Sequence, residues 1–153
     1  MNKTSESLPL IFLVLLLFSC KKDKLKGDSE ILIGKWNWTH TIETYETCNP
    51  PTFENTLTPE TENANYSIEF FEKGKVAFYE NEQEVNSYRV VLHSFDSNPS
   101  QNSSYPFGFT IYLDNEYENA FWGFVSQDSL FIREDFPFPD TDCEEFNSYF
   151  VRE

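Results

Sequence analysis

Between Gly34 and Arg152 apolar and polar residues alternate in short runs, each ended by a cluster of turn residues, and this period of two constrains the fold more than any other feature of the chain. The first run, Gly34 to Thr47, puts Trp36, Trp38, His40 and Ile42 on one face and Lys35, Asn37, Thr39, Thr41 and Glu43 on the other. The face with the tryptophans is expected to be buried. A Pro- and Thr-rich loop, Asn49 to Asn65, leads to a run with Tyr66, Ile68 and Phe70 inward. Glu72-Lys73-Gly74-Lys75 then has hairpin-turn chemistry, Gly74 supplying a positive φ, ahead of Val76 and Phe78. Asn81 to Asn86 reads as a polar turn into Tyr88, Val90 and Leu92, and Asp96 to Ser104 as a surface loop. Phe107 to Leu113, Asn119 to Val125, Leu130 to Glu134 and Phe146 to Arg152 complete eight strands. Sixteen Phe, eight Tyr and three Trp agree with strands, no stretch has a helical period, and the whole is the pattern of an antiparallel sheet or barrel.

A chain of 153 residues is sized for one domain, and its opening stretch does not share the alternating pattern. From Gly34 onward 22 Asp and Glu stand against six Lys and Arg, a net charge of 6 − 22 = −16. Phosphate recognition needs clustered cations, so nucleic acid is excluded as a partner, and the acidity argues against the domain lying on an anionic bilayer.

The opening stretch has Lys3, an apolar run from Leu8 to Phe18, and then Ser19-Cys20. A bilayer core takes about 20 apolar residues, so this run does not span one; it fits the apolar region of a secretory signal. Leu17-Phe18-Ser19-Cys20 resembles the lipobox of bacterial lipoproteins. The resemblance implies a signal peptide over residues 1–19, a lipid on Cys20, and attachment to a membrane of the cell envelope. Lys21 rather than Asp follows Cys20, which favours the outer membrane and leaves the leaflet open. Residues 20–32 are expected to form a flexible tether, solvated from Lys21 to Glu30, and residues 33–153 the folded domain.

Cys48 and Cys143 remain, an even pair in an exported protein, and are expected to form a disulfide. Cys48 ends the first strand and Cys143 comes just before the last. In an up-and-down barrel of even strand number those strands are antiparallel neighbours, so the bond would lie at the seam.

Gly34-Lys35-Trp36 at the head of the first strand resembles the Gly-x-Trp signature of lipocalins. The resemblance covers about Ile33 to Arg152 and implies a single eight-stranded up-and-down barrel. It also implies that Arg152, on the final strand, packs over Trp36 and closes one end.

Little in the chain carries chemistry. His40 and His93 are its two histidines, and neither stands in a nucleophile context. His40, grouped with the tryptophans, reads as a core or pocket histidine rather than a base; His93, before a polar loop, reads as exposed. The acidic cluster of Asp135, Asp140, Asp142, Glu144 and Glu145 has the oxygen chemistry of a Ca²⁺ site but not the spacing of a calcium loop, and reads as a solvated loop. No cofactor, metal or enzymatic activity is expected. The aromatic set Trp38, Tyr66, Phe70, Phe78, Tyr88, Phe109, Trp122 and Phe124, with His40, is the candidate for lining a ligand cavity. The same residues can simply fill a small barrel. Two functions follow: non-enzymatic binding of a small apolar ligand, or an interaction module of the envelope with a filled barrel and no ligand.

Overall fold

The computed structural model describes residues 24–45, 53–97, 105–114, 116–133 and 145–153. The signal segment, Cys20, Cys48, Cys143 and the acidic cluster up to Glu144 lie outside the described residues.

Nine strands follow one another: β1 (Gly34–Tyr45), β2 (Phe53–Leu57), β3 (Tyr66–Phe71), β4 (Lys75–Glu80), β5 (Gln83–Ser97), β6 (Phe107–Leu113), β7 (Glu116–Val125), β8 (Ser129–Arg133) and β9 (Glu145–Arg152). Eight of them, β1 and β3 to β9, pair in sequence order, and β1 pairs with β9 to close an antiparallel barrel. Hairpin chemistry sets the order. Gly74 takes a φ of 71° and its N–H bonds the Phe71 carbonyl at 2.9 Å, while the Ser126 N–H bonds the Ser129 carbonyl at 2.8 Å. Asn81 and Glu82, with φ of 49° and 68°, turn β4 tightly into β5, so the polar turn expected to reach Asn86 is only these two residues and β5 is correspondingly long.

The loop from Asn49 to Asn65 contains β2 and a short helix, α1 (Pro59–Glu62), whose Thr58 cap accepts from the Thr61 N–H. β2 pairs with the far half of β1, Thr41 opposite Leu57 to Tyr45 opposite Phe53, while β3 takes the near half, Gly34 to Asn37. One edge of β1 thus serves two partners in turn. The tether is also shorter than expected, because a 3-10 helix spans Gly27–Leu32, and Leu25, 2% exposed, and Leu32, fully buried, belong to the main core. Apolar burial of two leucines outweighs the conformational freedom of so short a segment.

Among the described residues the core lies inside the barrel, with inward residues from every barrel strand, among them Trp36, Ile68, Val76, Val90, Ile111, Val125, Leu130 and Phe150. The expected inward face of β1 holds for Trp36 and Trp38 and then reverses. Trp38 stands opposite Phe150 and His40 opposite Tyr149, so Thr39 is an extra residue, a bulge held by its hydroxyl donating to the Tyr149 carbonyl at 2.9 Å. Past the bulge the faces swap. Thr41, fully buried, and Glu43, 5% exposed, point inward, and His40 and Ile42 point outward.

Candidate functional site: a closed end and an aromatic outer face

One end of the barrel is closed by Trp36 and Arg152. The indole is fully buried, and its N–H donates to the Leu32 carbonyl at 2.9 Å. The Arg152 guanidinium lies 4.0 Å from the indole centroid, a cation–π contact. Its Nε donates to the Gln127 carbonyl at 2.7 Å, Nη1 to the Ile33 carbonyl at 2.8 Å, and Nη2 to the Ile31 carbonyl. One planar fork thus joins the segment before β1, the β7–β8 turn and β9. Burial pulls the guanidinium's pKa down from its ordinary value, and the charge of Asp128 opposes that shift. Gly34 makes the geometry possible: its φ is 125°, and a Cβ there would stand 3.0 Å from Nη1 of Arg152.

Above this closure the residues considered as a ligand pocket are packed on one another. Trp38 is 4% exposed, Phe70 1%, Phe78 4% and Phe109 3%. These four keep little accessible area, while Tyr66 and Tyr88, two further candidates, are half-buried. Trp38 meets Tyr66 edge to face at 5.5 Å, and Phe78 meets Tyr88 likewise at 5.7 Å. A polar strip runs up the lumen wall between β1 and β9. The Trp38 indole N–H donates to Thr41 Oγ1 at 2.9 Å, Thr41 and Ser148 share a hydroxyl bond of 2.8 Å, and Asn55 of β2 donates to the Glu43 carboxylate at 2.8 Å. Sequence reasoning missed Thr41 and Glu43 because the only signal for them is the bulge, whereas Ser148 shares the inward parity of Phe146 and Phe150 in β9.

Three of the residues considered for the lumen are outside it. In β7 Phe121, Gly123 and Val125 are buried and face inward, which turns Trp122 and Phe124 outward. His40 is turned outward by the bulge. The outer face gains an ordered row from this. Cross-strand register sets Phe124 of β7 beside Phe131 of β8, Phe131 beside Tyr149 of β9, and Tyr149 beside His40 of β1. Centroid separations along the row are 5.9 Å, 5.1 Å and 4.4 Å, the last a parallel stack. Trp122 joins at 5.8 Å from Phe124, under the Arg133 guanidinium at 5.2 Å. The row is half-buried.

Next to it lies a shallow groove of about 340 Å³ lined by Ser94, Asp96, Gly108, Thr110, Trp122 and Phe124. The Phe124 ring leans over Gly108, whose absent Cβ would stand 3.3 Å from it. A second cleft, of about 480 Å³ and mostly polar, opens near the place where β1 changes partner from β3 to β2, with Lys35, Asn37, Asn65 and Asn81 on its walls and the candidate residues Trp38 and Tyr66 reaching into them. Chemically the row and its groove offer ring faces and edges, hydroxyls, the Arg133 guanidinium and the Asp96 carboxylate. His40 is occupied, with Nδ1 3.1 Å from Thr39 Oγ1 and its ring on Tyr149; His93, exposed as expected, sits beside the Tyr112 ring at 5.0 Å.

No protein-family model, no curated protein and no solved structure matches the chain.

Proposed function

We propose that the protein is a lipid-anchored module of the cell envelope, without enzymatic activity, that engages another envelope protein through the outside of a filled barrel. The observation that carries this reading is the distribution of aromatic side chains. Among the described residues, Trp38, Phe70, Phe78 and Phe109 are buried in one core inside the barrel, whereas Trp122, Phe124, Phe131, Tyr149 and His40 form a continuous half-buried row outside. Half-buried aromatic clusters are the common anchors of protein interfaces, since a second surface removes their remaining area from water at little cost in side-chain freedom.

Attachment rests on the lipobox-like Leu17-Phe18-Ser19-Cys20, with the lipid on Cys20 and the outer membrane as the favoured site. The proposed disulfide between Cys48 and Cys143 draws support from the seam: β1 pairs with β9 as far as Thr44 opposite Glu145, four residues before Cys48 and two after Cys143.

Two measurements test the reading. In native mass spectrometry, protein purified from its own host without reductant is expected to carry no non-covalent passenger and, once denatured, to weigh two hydrogens less than the dithiol. A small molecule released only on denaturation would reinstate the carrier of an apolar ligand. In intact cells a photo-activatable residue replacing Phe131 is expected to give one discrete cross-linked protein species, and the same residue replacing Glu82, exposed on the β4–β5 turn, to give none. Equal labelling from both positions would remove the aromatic row as the interface.

A further inference from the structure

The covalent anchor proposed above, combined with the burial of the chain just after it, fixes which way up the barrel stands. We infer that the closed end of the barrel rests on the lipid headgroups of the membrane that holds the anchor, and that the opposite end points away from it.

The inference begins with Leu25. Its side chain is 2% exposed and belongs to the main core, so no more than Lys21 to Lys24 separates a lipid on Cys20 from the core. Five residue steps from Cys20 to Leu25 span at most roughly 18 Å even when fully extended. A tether of that length cannot reach around the barrel, and it enters at the 3-10 helix beneath Trp36 and Arg152. The anchor therefore holds this end against the bilayer, and only a sector of tilt is open to the domain.

Charge acts in the same direction. Among the described residues every lysine lies at this end: Lys24 and Lys26 ahead of the 3-10 helix, Lys35 at the start of β1, Lys73 in the β3–β4 turn and Lys75 at the start of β4. With Arg152 they stand against Asp28, Glu30, Glu69 opposite Lys35, Glu72, Asp96 near the end of β5, Asp128 and Glu153, so among the described residues this end is near charge balance: 6 − 7 = −1. On β2, α1 and the β4–β5 hairpin, farther from the anchor, Glu54, Glu60, Glu62, Glu80 and Glu82 are all exposed with no lysine among them. An anionic headgroup layer repels that acidic half and tolerates the balanced one, within a Debye length of the surface. The domain as a whole is too acidic to adsorb on such a membrane, but its charge is arranged to orient it once it is tied there.

The inference rests on the anchor reading, and the experiment separates the two. The full, isotopically labelled lipoprotein is placed in nanodiscs of phosphatidylethanolamine and phosphatidylglycerol that contain a lipid with a nitroxide on its headgroup, and amide signal loss is read residue by residue. The amides of Gly27, Lys73 and Gln127 are expected to lose at least twice the fraction of intensity lost by those of Asn81, Glu82 and Asp114. Uniform loss, or loss centred on Asn81 and Asp114, would overturn the orientation while leaving the anchor intact. Cys20→Ala protein is expected to show no disc association. If it associates like the wild type, or if the wild type does not associate, the anchor reading falls and takes the orientation with it.

Discussion

Arg152→Ala is expected to destabilise the folded protein by about 2–4 kcal/mol, which lowers the thermal midpoint by roughly 10–15 °C for a domain of this size. The guanidinium donates to three carbonyls, two in the segment before β1 and one in the β7–β8 turn, and covers the buried face of Trp36. Hydrogen bonds from a charged donor each contribute about 1.5–3 kcal/mol, but their sum overstates the loss, since water replaces the partner of the surface carbonyl of Gln127. The carbonyls of Ile31 and Ile33 are part-buried and are satisfied less readily. Arg152→Lys is expected to recover less than half of the loss, because an ammonium on a flexible stem cannot address the three directions at once or stack on the indole. Urea unfolding followed by near-ultraviolet circular dichroism, which reports the packing of Trp36, measures both. A loss below about 1 kcal/mol for Arg152→Ala would show that the closed end holds together without its fork.

Gly123→Ala is expected to cost about 3 kcal/mol or more, and to leave little folded protein if the wild type is of ordinary stability. A Cβ on Gly123 would be driven onto the Phe131 carbonyl oxygen in the neighbouring strand and would stand 3.0 Å from the Phe109 ring. The first obstacle is backbone in a hydrogen-bonded ladder, β7 against β8, with no rotamer to change. Relief requires the strands to part, which breaks the β7–β8 pairing on which Trp122 and Phe124 are displayed. Gly108→Ala serves as the comparison. Its Cβ would meet only the outward ring of Phe124, at 3.3 Å, and that ring can swing away, so the cost is expected to be about 1 kcal/mol or less. Equal losses in the two variants, measured by thermal melts, would show that strand proximity at Gly123 is not what demands glycine there.

The strands, their order and their closure were legible because alternation and turn chemistry are local signals, repeated in eight runs. The inward and outward faces were legible only as far as nothing interrupted the count. Trp36 and Trp38 follow the period of two, but no residue type in Trp38-Thr39-His40-Thr41 announces a bulge, and one uncounted residue sends His40 outside and Glu43 inside. In Phe121-Trp122-Gly123-Phe124-Val125 both parities are apolar, so the pattern does not choose a face. The choice is made by Gly123, which must lie where β8 and Phe109 come closest. β2 has apolar side chains only at its two ends, Phe53 and Leu57, too few for a pattern to stand out from a polar loop. The 3-10 helix is shorter than the window over which a helical period becomes visible, and its burial depends on a surface that exists only once the barrel is built. The outer aromatic row was hidden for a similar reason, since its members come from four strands and meet only through register.

The pairing of β1 with β9 also governs when the molecule can become itself. Strand β1 is translated and, in an exported protein, delivered across the membrane long before β9, yet Trp36 needs Arg152 and Thr41 needs Ser148, partners more than 100 residues downstream. Until they arrive, that edge of β1 offers unpaired N–H and C=O groups, the usual template for wrong pairing and aggregation. Contacts of such long range make folding slow and late, so a chain delivered across a membrane from its N-terminus would pass its most vulnerable interval with its first strand exposed. Folding chaperones and proteases of the receiving compartment would meet it in that interval, and a truncation removing β9 would leave a permanent client rather than a weakened barrel.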